Sequence, residues 1–472
     1  MLDHFFHPSS VAVVGASQTP GKIGYDILNN ILQHGYKGTV CPINPKAKEI
    51  LGCKAYPDLV SVPSDVDLAV IALPAPAVMK AMEQCGRKKV DSVVIISAGF
   101  KELGPQGARL EEDLAGLAKD LGIRVVGPNC LGIIDTKSAL NASFAAGMPL
   151  NGHIGFFSQS GAMCVAILDW ALGENVGFSR FVSLGNKMDI SETEMMLSMQ
   201  QDENTRVILG YLEGIEDGPP FMKAARRVAQ EKPIIVIKSG TTPAGAKAAS
   251  SHTGALAGSE HAYDAAFKQS GIIRARSMQA LFSYAMAFAS QPLPKGGSLA
   301  IITNSGGPGI LAADACDRSS LHLSPIQKET ADRLRAFLPP TASVYNPIDI
   351  IGDASHERYE KTLRVVVEDP LIQAIVILLT PTASVDPTAV ARSIVTLARD
   401  ADKPIMTSFM GEKKVRAARK IFQDHGIPSY DYPEDAISAL DAMLSYGRWR
   451  EKPERQYRDF EVDTRQVRNI FA

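Results

Sequence analysis

Two stretches of this chain repeat the same order of elements, and this repetition restricts the fold more than any other feature of the sequence. From about residue 153 and again from about residue 297, an apolar run ends in a Ser-Gly turn and a helical segment follows. Each stretch continues with Asn-x-x-Asp, a second apolar run with a polar turn, another helix and a Lys-Pro dipeptide before a third apolar run. Strands, turns of small residues and helices in this order build a parallel sheet covered by helices. The sequence therefore predicts an internal duplication of a flavodoxin-like unit.

The residues before the duplication predict a further unit of the same class. Their apolar runs, each bounded by turn residues and separated by amphipathic segments, are VAVVGAS, TVCPIN, LAVIALP, SVVIISAGF and RVVGPN. This pattern indicates a parallel sheet with helices on both faces. The predicted fold class is α/β, with an N-terminal Rossmann-like domain followed by two flavodoxin-like doubly wound domains. The predicted boundaries are residues 1–135, 136–292 and 293–450, with a charged linker or tail at 451–472.

Charge and apolar patterning exclude several kinds of partner. The formal net charge is -2 and charged residues make up 21% of the chain, so neither nucleic acid nor a membrane is expected as a partner. The first residues lack a basic segment followed by an apolar run, and no stretch reaches the roughly 18 apolar residues of a membrane helix. The six cysteines are scattered without a Cys-x-x-Cys pair, so we expect reduced thiols and no metal site. Together these features predict a cytoplasmic protein.

The turn after the first apolar run has the composition of a phosphate-binding turn. Gly15, Ser17 and Lys22 lie between a buried strand and a helix, where small residues let backbone amides approach a phosphate. The turn departs from the dinucleotide fingerprint G-x-G-x-x-G, and the second strand ends in Asn44 and Lys46 where a nicotinamide site needs an acidic residue. Lysines there suit a phosphorylated ribose, as in CoA or NADP. The alternative is a structural glycine turn with lysines on the surface.

Two further turns end strands of the same domain. Ser97 and Gly99 follow one apolar run, and Asn129 follows the next. The carboxyl ends of parallel strands meet at one edge of the sheet, where open α/β sheets bind ligands. We therefore expect these residues to share a cleft with the first turn, although a strand-ending Gly-Pro-Asn is by itself an ordinary turn.

A histidine among small residues is the strongest local signal for chemistry. His252 lies in SSHTGALAGS, which offers little to bury, so we expect a mobile loop over the sheet edge. A solitary histidine is often only a surface residue, but small neighbours would let this ring reach different partners. A histidine that accepts a phosphoryl group needs a carboxylate at its other ring nitrogen, and Glu213 follows a strand of the same unit. The alternative for Glu213 is an acid that only stabilises a helix N-terminus.

Three helix starts are candidate phosphate sites. Ser160 and Gly161 open a helix after one strand, Gly306 and Gly307 open another, and Thr382 precedes a third. Unpaired amides and the helix dipole make such starts favourable for anions without any lysine. The alternative for each turn is a connection that serves the topology alone.

The two Asn-x-x-Asp elements are interpreted as structural. Asn186 with Asp189, and Asn346 with Asp349, are suited to cap helices or to hold loops through Asx-turns. We do not expect them to take part in catalysis.

The chain resembles the NDP-forming acyl-CoA synthetases, the ADP-forming acetyl-CoA synthetase group related to succinyl-CoA synthetase. The resemblance covers residue 3 to about 450 and rests on an ordered set of motifs: VAVVGAS, INPK, ISAGFKE, GPNCLG, SQSGA, YLEGI, SSHTGALAGS, TNSGGPG and NPIDI. It implies that the first domain binds CoA, that His252 is the phosphorylated histidine and that Glu213 orients it. It also implies that the helices opening at Ser160 and near Thr382 point at the phosphohistidine.

The resemblance further implies a reaction and partners. Acyl-CoA, NDP and phosphate would be interconverted with a small carboxylic acid, CoA and NTP, through an acyl phosphate and the phosphohistidine. The family also has an ATP-grasp domain for the Mg-nucleotide, and no segment of this sequence resembles one. We therefore expect that domain on another polypeptide or in a C-terminal part beyond this sequence. A homodimer or heteromer is the family expectation.

Two other functions fit parts of the sequence. A non-catalytic CoA-sensing module of fused protein acetyltransferases has a related arrangement but typically lacks the phosphorylatable histidine, whereas His252 and Glu213 are both present here. An NAD-dependent dehydrogenase is disfavoured by the missing G-x-G-x-x-G and by the lysine after the second strand. An acid-thiol ligase is therefore the favoured interpretation.

Overall fold

The computed structural model describes residues 2–242, 244–245, 247 and 260–453. Three mainly parallel sheets, each flanked by helices, follow one another along the chain. The predicted α/β class, a Rossmann-like domain followed by two flavodoxin-like domains, is confirmed.

The first sheet is made of apolar segments buried on both faces, as expected for a parallel sheet between two helical layers. Its strands lie in the order Thr39–Ile43, Ser10–Val14, Leu68–Ile71, Ser92–Ile95 and Arg124–Val126. Its helical segments are Asp3–Phe6, Ile23–Gln33, Ala75–Lys88, Lys101–Leu103 and Pro105–Leu121, and Glu49–Ile50 pairs with Cys53–Lys54 as a separate ribbon. The strand order reverses between Ser10–Val14 and Leu68–Ile71, and such a switch point opens a crevice at the carboxyl ends of the strands.

The second sheet contains five parallel strands and an edge hairpin. The order is Ile272–Arg274, Ile234–Lys238, Val207–Leu212, Leu150–Ser158, Gly177–Ser183, Gly132–Asp135 and Leu140–Ser143, and the last two strands run antiparallel. The helices are Gly161–Gly173, Glu192–Gln201, Gly218–Ala229, Glu260–Ser270 and Met278–Ser290. The hairpin crosses the predicted boundary between residues 135 and 136. The sequence does not indicate this, because the strand Gly132–Asp135 joins the sheet through a long-range pairing with Gly177–Ser183.

The third sheet repeats the strand order of the second. The order is His322–Leu323, Ser298–Thr303, Ala374–Leu379, Ile405–Phe409 and Ser429–Tyr430, and the short strand Ile348–Asp349 pairs with Ser298–Thr303. The helices are Gly306–Asp317, Lys328–Arg335, His356–Val367, Pro387–Ala398, Arg416–Asp424 and Pro433–Arg450. When the strand order of the second sheet is reversed, its five parallel strands match those of the third sheet one by one. The repeated order of elements in the sequence predicts this shared topology.

The helix Pro433–Arg450 joins the two copies. It packs on the helices Met278–Ser290 and Gly306–Asp317, one from each copy. The Tyr446 hydroxyl donates to the Ala229 carbonyl at 2.8 Å, and the Trp449 ring lies against Gly271, where an added Cβ would meet it at 2.5 Å. One apolar cluster extends through all three units and includes residues such as Val70, Phe156 and Ile301.

The cysteines are unpaired and most of them are buried. All six cysteines are free, and burial raises the pKa of Cys85, Cys130 and Cys164 to about 12, so these three stay protonated. Within the described residues, no helix is long and apolar enough to span a bilayer.

Candidate functional site

A cleft of about 470 Å³ opens at the switch point of the first sheet. Four of the predicted ligand residues, Gly15, Ser17, Lys22 and Ser97, line it together. The other lining residues are Ile23, Gly24, Ala72, Leu73, Pro74, Ile96 and Ala98. The strand ends and the first turn of the helix Ile23–Gln33 thus meet in one place, as the sequence pattern predicts.

The first turn is shaped by two glycines that allow close backbone contact. Gly15 has a φ of +95°, and a Cβ there would lie 2.5 Å from the Ala72 carbonyl oxygen. A Cβ at Gly24 would lie 2.0 Å from the carbonyl oxygen of Gly15. The start of the helix Ile23–Gln33 is therefore held against the strand end, and the amides of its first turn border the cleft. This is the arrangement in which a helix start binds a phosphate.

The Ser97 hydroxyl gives the cleft an unused hydrogen-bonding group. Ser97 is 8% exposed, and its hydroxyl has no hydrogen-bond partner among the described residues. Its carbonyl oxygen accepts from the Asn129 amide at 2.8 Å, which fixes the backbone on this side of the cleft. Eight buried hydroxyls among the described residues lack a partner, and Ser97 is the one of these residues that lines the cleft, so its hydroxyl fits a polar ligand there. The residues present therefore fit a phosphorylated ligand such as CoA.

The other predicted ligand residues hold the loops around the cleft and do not line it. The Asn44 side chain donates to the Ala16 carbonyl at 2.8 Å and accepts from the Lys46 amide at 2.9 Å, in an Asx-turn. Lys46 is exposed, and Gly99 has a φ of +114°. The Asn129 side chain donates to Asn186 at 3.2 Å. Their role in ligand binding stays a prediction.

A buried amide side chain organises the corresponding edge of the second sheet. The Gln159 side-chain oxygen accepts from the backbone amides of Glu213 and Gly214 at 2.7 and 2.9 Å. Its nitrogen donates to the Glu192 carboxylate at 3.0 Å. In the third sheet Asn304 plays the same part, because its side-chain oxygen accepts from the Thr380 amide at 2.8 Å. Neither residue is predicted from the sequence, although each precedes a Ser-Gly turn.

Glu213 is half-buried and held through its backbone from both sides. Its amide is bound by Gln159, and its carbonyl oxygen accepts from the Lys238 ammonium at 2.8 Å. Both hydrogen bonds are made by the backbone, so they hold Glu213 at the sheet edge without using its carboxylate. Lys238 is not predicted from the sequence either, although it is the one charged residue of the otherwise apolar strand Ile234–Lys238.

The segment that carries His252 lies outside the described residues, but the residues that flank it are fixed. Arg274 donates to the Thr241 hydroxyl at 3.2 Å, before the segment, and pairs with Glu260 at 3.3 Å, after it. Arg276 also pairs with Glu260, at 2.9 Å. Both ends are therefore anchored near the strand Ile272–Arg274.

The helix starts differ between the two copies. Ser160 caps the helix Gly161–Gly173 by accepting from the Met163 amide at 3.4 Å. The Ser305 side chain makes no such cap, and a Cβ at Gly306 would lie 3.9 Å from an Asp349 carboxylate oxygen. The first copy thus presents a neutral helix start, whereas the second has an acid beside it. Gly307 is exposed in the first turn of the same helix.

The helix expected near Thr382 begins later than predicted. Its first residue is Pro387, and Asp386 caps it by accepting from the Thr388 and Ala389 amides at 2.9 and 3.2 Å. An Asp followed by a Pro is a favourable helix start, which explains the shift. The Thr382 hydroxyl instead donates to the Gly352 carbonyl at 2.8 Å.

The first Asn-x-x-Asp element joins the first two units. The Asn186 side chain donates to the carboxylates of Glu102 and Glu111, both at 2.7 Å. Asp189 binds the Arg124 guanidinium at 2.9 Å. These contacts connect domains and leave no free group for catalysis.

The second Asn-x-x-Asp element braces the third sheet. The Asn346 side chain accepts from the Ile301 amide at 3.0 Å, and Asp349 accepts from the Ile351 amide at 2.9 Å in an Asx-turn. Both contacts are local to the third unit.

Three family models match consecutive parts of the chain. A CoA binding domain matches residues 9–136, a succinyl-CoA ligase like flavodoxin domain matches 151–288, and a Ligase-CoA domain matches 299–452. The three matches follow the three sheets in order, except that the edge hairpin of the second sheet lies before the second match.

Whole-chain relatives carry the same combination. An ADP-forming acetate–CoA ligase I of Archaeoglobus fulgidus is 45% identical over 98% of this chain and 66% of its own length. The alpha subunit of the Pyrococcus furiosus acetate–CoA ligase I is 41% identical over 96% of this chain and 99% of its own length. The chain thus spans about two thirds of the first relative and nearly all of the second.

A solved structure agrees with these relatives. The dinucleotide forming acetyl-coenzyme A synthetase 1 of Ca. Korarchaeum cryptofilum, in complex with phosphate and ADP, has a TM-score of 0.92 and 41% identity, covering 95% of this chain and 97% of its own. The chain therefore belongs to the ADP-forming acyl-CoA synthetases, a family of acid-thiol ligases, and corresponds to their alpha component.

Proposed function

We propose that this chain performs the thioester half of a reversible synthetase reaction. Acyl-CoA and phosphate react to an acyl phosphate and CoA, and the phosphoryl group passes to His252 and then to NDP. The observation that supports this proposal is that one chain contains both a cleft suited to CoA and a carboxylate suited to orient a histidine. One is the cleft with the unpartnered Ser97 hydroxyl, and the other is Glu213, fixed through its backbone at the edge of the second sheet.

In the first step, an oxygen of phosphate attacks the thioester carbonyl, and the CoA thiolate leaves. The amides of the turn at Gly15 and Ser17, the Lys22 side chain and the Ser97 hydroxyl bind the CoA phosphates and polar groups. Asn44, Lys46, Gly99 and Asn129 contribute from the surrounding loops. These contacts are made to parts of CoA that do not react. Their binding energy positions the thioester for attack by phosphate.

In the second step, a ring nitrogen of His252 attacks the phosphorus, and the carboxylate leaves. Glu213 accepts a hydrogen bond from the other ring nitrogen, which fixes the tautomer and stabilises the positive charge of the phosphorylated ring. The helix start at Ser160 and Gly161 binds the phosphoryl oxygens, and the helix start at Gly306 and Gly307, together with the loop at Thr382, contributes from the other copy.

The nucleotide step needs a partner. The Pyrococcus furiosus relative is itself named as a subunit, and the similar solved structure is described with ADP. We infer that an ATP-grasp subunit or domain binds the Mg-nucleotide and receives the phosphoryl group, in an assembly that is a homodimer or heteromer. A small carboxylic acid, with acetate as the first candidate, is the product released. The reaction takes place in the cytoplasm, where CoA and nucleotides are available.

The test is phosphorylation of the chain by acyl-CoA and labelled phosphate. A panel of acyl-CoAs is supplied to the wild type, to His252→Ala and to His261→Ala, which changes an exposed histidine on the helix Glu260–Ser270. We expect acid-labile label on the wild type and on His261→Ala but not on His252→Ala. Equal labelling of all three proteins, or no labelling with any thioester, overturns the proposal.

A further inference from the structure

Lys238 is a buried lysine to which the proposed reaction assigns no role. It ends the strand Ile234–Lys238 and is 7% exposed. Its ammonium donates to the carbonyl oxygens of Glu213 and Ser239 at 2.8 and 2.5 Å, and it lies 4.4 Å from the centre of the Tyr263 ring. The ammonium thus joins the residue proposed to orient the imidazole to the first residue of the segment that leads to His252.

The duplicated unit shows that the fold does not need a lysine at this place. Phe409 ends the equivalent strand of the third sheet, which also follows a Lys-Pro dipeptide. The registers agree, because Lys238 pairs with Leu212 and Phe409 pairs with Leu379 at the ends of equivalent strands. Phe409 is fully buried in an apolar cluster. A buried cation costs far more free energy than a buried phenyl ring, so packing alone does not explain Lys238.

The same comparison links the lysine to the carboxylate. Thr380 stands where Glu213 does, and each has its backbone amide bound by an amide side chain, from Asn304 and Gln159 respectively. The two copies therefore share the backbone arrangement at this edge. They differ in that the copy with the carboxylate also has the lysine, and the other copy has neither.

A second pair of lysines shows what a purely structural lysine looks like in this fold. Lys232 donates to the carbonyl oxygens of Met199 and Asp202 at 3.0 and 2.6 Å. Lys403, its equivalent in the third unit, donates to the carbonyl of Asp369 at 2.6 Å in the same way. This contact is present in both copies and lies at the opposite end of the strands. Lys238 has no such counterpart.

The charged groups that face Lys238 come from two neighbouring elements. Burial, helped by the Arg274 guanidinium on the adjacent strand, lowers the pKa of Lys238 to about 8, while Glu213 acts in the opposite direction. Arg274 is itself paired with Glu260 and Asp264 on the helix that follows the His252 segment. Because the ammonium loses its proton as the pH rises through this range, its charge-assisted hydrogen bonds weaken there.

We propose that Lys238 is a positioning residue for phosphoryl transfer to His252, fixing the Glu213 carbonyl relative to Ser239 so that the carboxylate meets the imidazole in the right place. This inference rests on the proposed function. Lys238 does not line the cleft of the first sheet, so it acts on the rate of phosphorylation and leaves CoA binding unchanged. A misplacement of about 1 Å at a reacting pair costs on the order of a hundredfold in rate.

The experiment measures single-turnover labelling of the full chain by acetyl-CoA and labelled phosphate between about pH 6.5 and pH 9.5. The variants are Lys238→Met, Lys238→Arg and the matched control Lys232→Met. For each, CoA binding is measured by calorimetry and folding by the thermal unfolding midpoint. Arginine keeps its charge throughout this pH range, whereas methionine removes both the charge and the donors.

We expect Lys238→Met to label at least about tenfold more slowly than the wild type, with CoA affinity unchanged and Lys232→Met labelling normally. The wild-type rate falls as the pH rises through about 8, and Lys238→Arg retains activity without that fall. The inference is overturned if Lys238→Met is labelled at the wild-type rate. It is also overturned if the labelling rate of Lys238→Arg falls at alkaline pH as that of the wild type does. Neither result affects the proposed function. Absence of label on the wild type with every acyl-CoA of the panel overturns both.

Discussion

The backbone amide of Glu213 donates a hydrogen bond to the side-chain oxygen of Gln159 at 2.7 Å. The same oxygen accepts from the Gly214 amide at 2.9 Å, so one buried side chain binds two consecutive amides at the end of the strand. Gln159 is 9% exposed, and water has little access to these amides if the side chain is lost. The position of the Glu213 carboxylate therefore depends on a residue from another strand.

Replacing Gln159 with leucine should slow phosphorylation of His252 and lower stability. Two amides lose their partner, and each unpaired buried group costs about 1–3 kcal/mol. Thermal unfolding and single-turnover labelling measure the two effects. Gln200→Leu is the control, because Gln200 is similarly buried and donates to Glu231 at 2.7 Å, away from the site. If both variants label at the same rate, Gln159 has no positioning role.

Replacing Ser97 with alanine should weaken CoA binding without destabilising the free chain. The hydroxyl is buried without a partner, so its removal costs the free protein nothing, whereas a hydrogen bond to CoA is worth about 0.5–1.5 kcal/mol. Calorimetry with CoA and thermal unfolding without it separate the two quantities. Ser92→Ala, which removes a bond of 2.9 Å to Asp91, should leave CoA affinity unchanged. An unaltered affinity in Ser97→Ala would falsify this assignment.

Replacing Gly15 with alanine should abolish CoA binding or reduce it at least about tenfold. The new Cβ would lie 2.5 Å from the Ala72 carbonyl oxygen, in a backbone conformation with φ at +95°. Gly21→Ala is the matched control, since Gly21 has a φ of +78° but no atom within 4 Å of the added Cβ. Gly21→Ala should cost about 1 kcal/mol of stability through strain alone and retain most of the CoA affinity. Equal losses in both variants would show that strain, and not the close contact, controls the cleft.

The buried ammonium of Lys238 should also make stability depend on pH. Its pKa falls from 10.5 to about 8 on folding, so between these values the unfolded chain holds a proton that the folded chain has released. Stability of the wild type should therefore rise with pH in this window, relative to Lys238→Met, by about 1–2 kcal/mol between about pH 7.5 and 9.5. Unfolding midpoints of the two proteins at both pH values check this. A difference that is constant with pH contradicts a lowered pKa.

The sequence predicted those features that depend on local pattern. The apolar runs before Gly15, Ser97 and Ser160 are strands, and the small residues after them are turns at the expected sheet edge. The repeated order of elements predicted two sheets of equal topology. Such signals are local, because a buried parallel strand needs a short apolar run and a tight turn wherever it lies.

The features that the sequence did not predict are long-range contacts. Gln159 and Glu213 are brought together only when the strands Leu150–Ser158 and Val207–Leu212 pair. The hairpin from Gly132 joins the second sheet through a strand far along the chain. Lys238 stands out only when the two copies are superimposed by strand register, which requires the strand order to be known.

The helix Pro433–Arg450 determines how the chain responds to cleavage and to unfolding. Its Tyr446 and Trp449 side chains pack on the first copy, although the helix follows the third sheet in the chain. A cut in the Pro-rich joint at residues 291–297 would sever the polypeptide without releasing either half. The two copies should therefore unfold in one cooperative transition. A fragment that ends at the joint should expose the apolar surface that this helix covers, and it should aggregate.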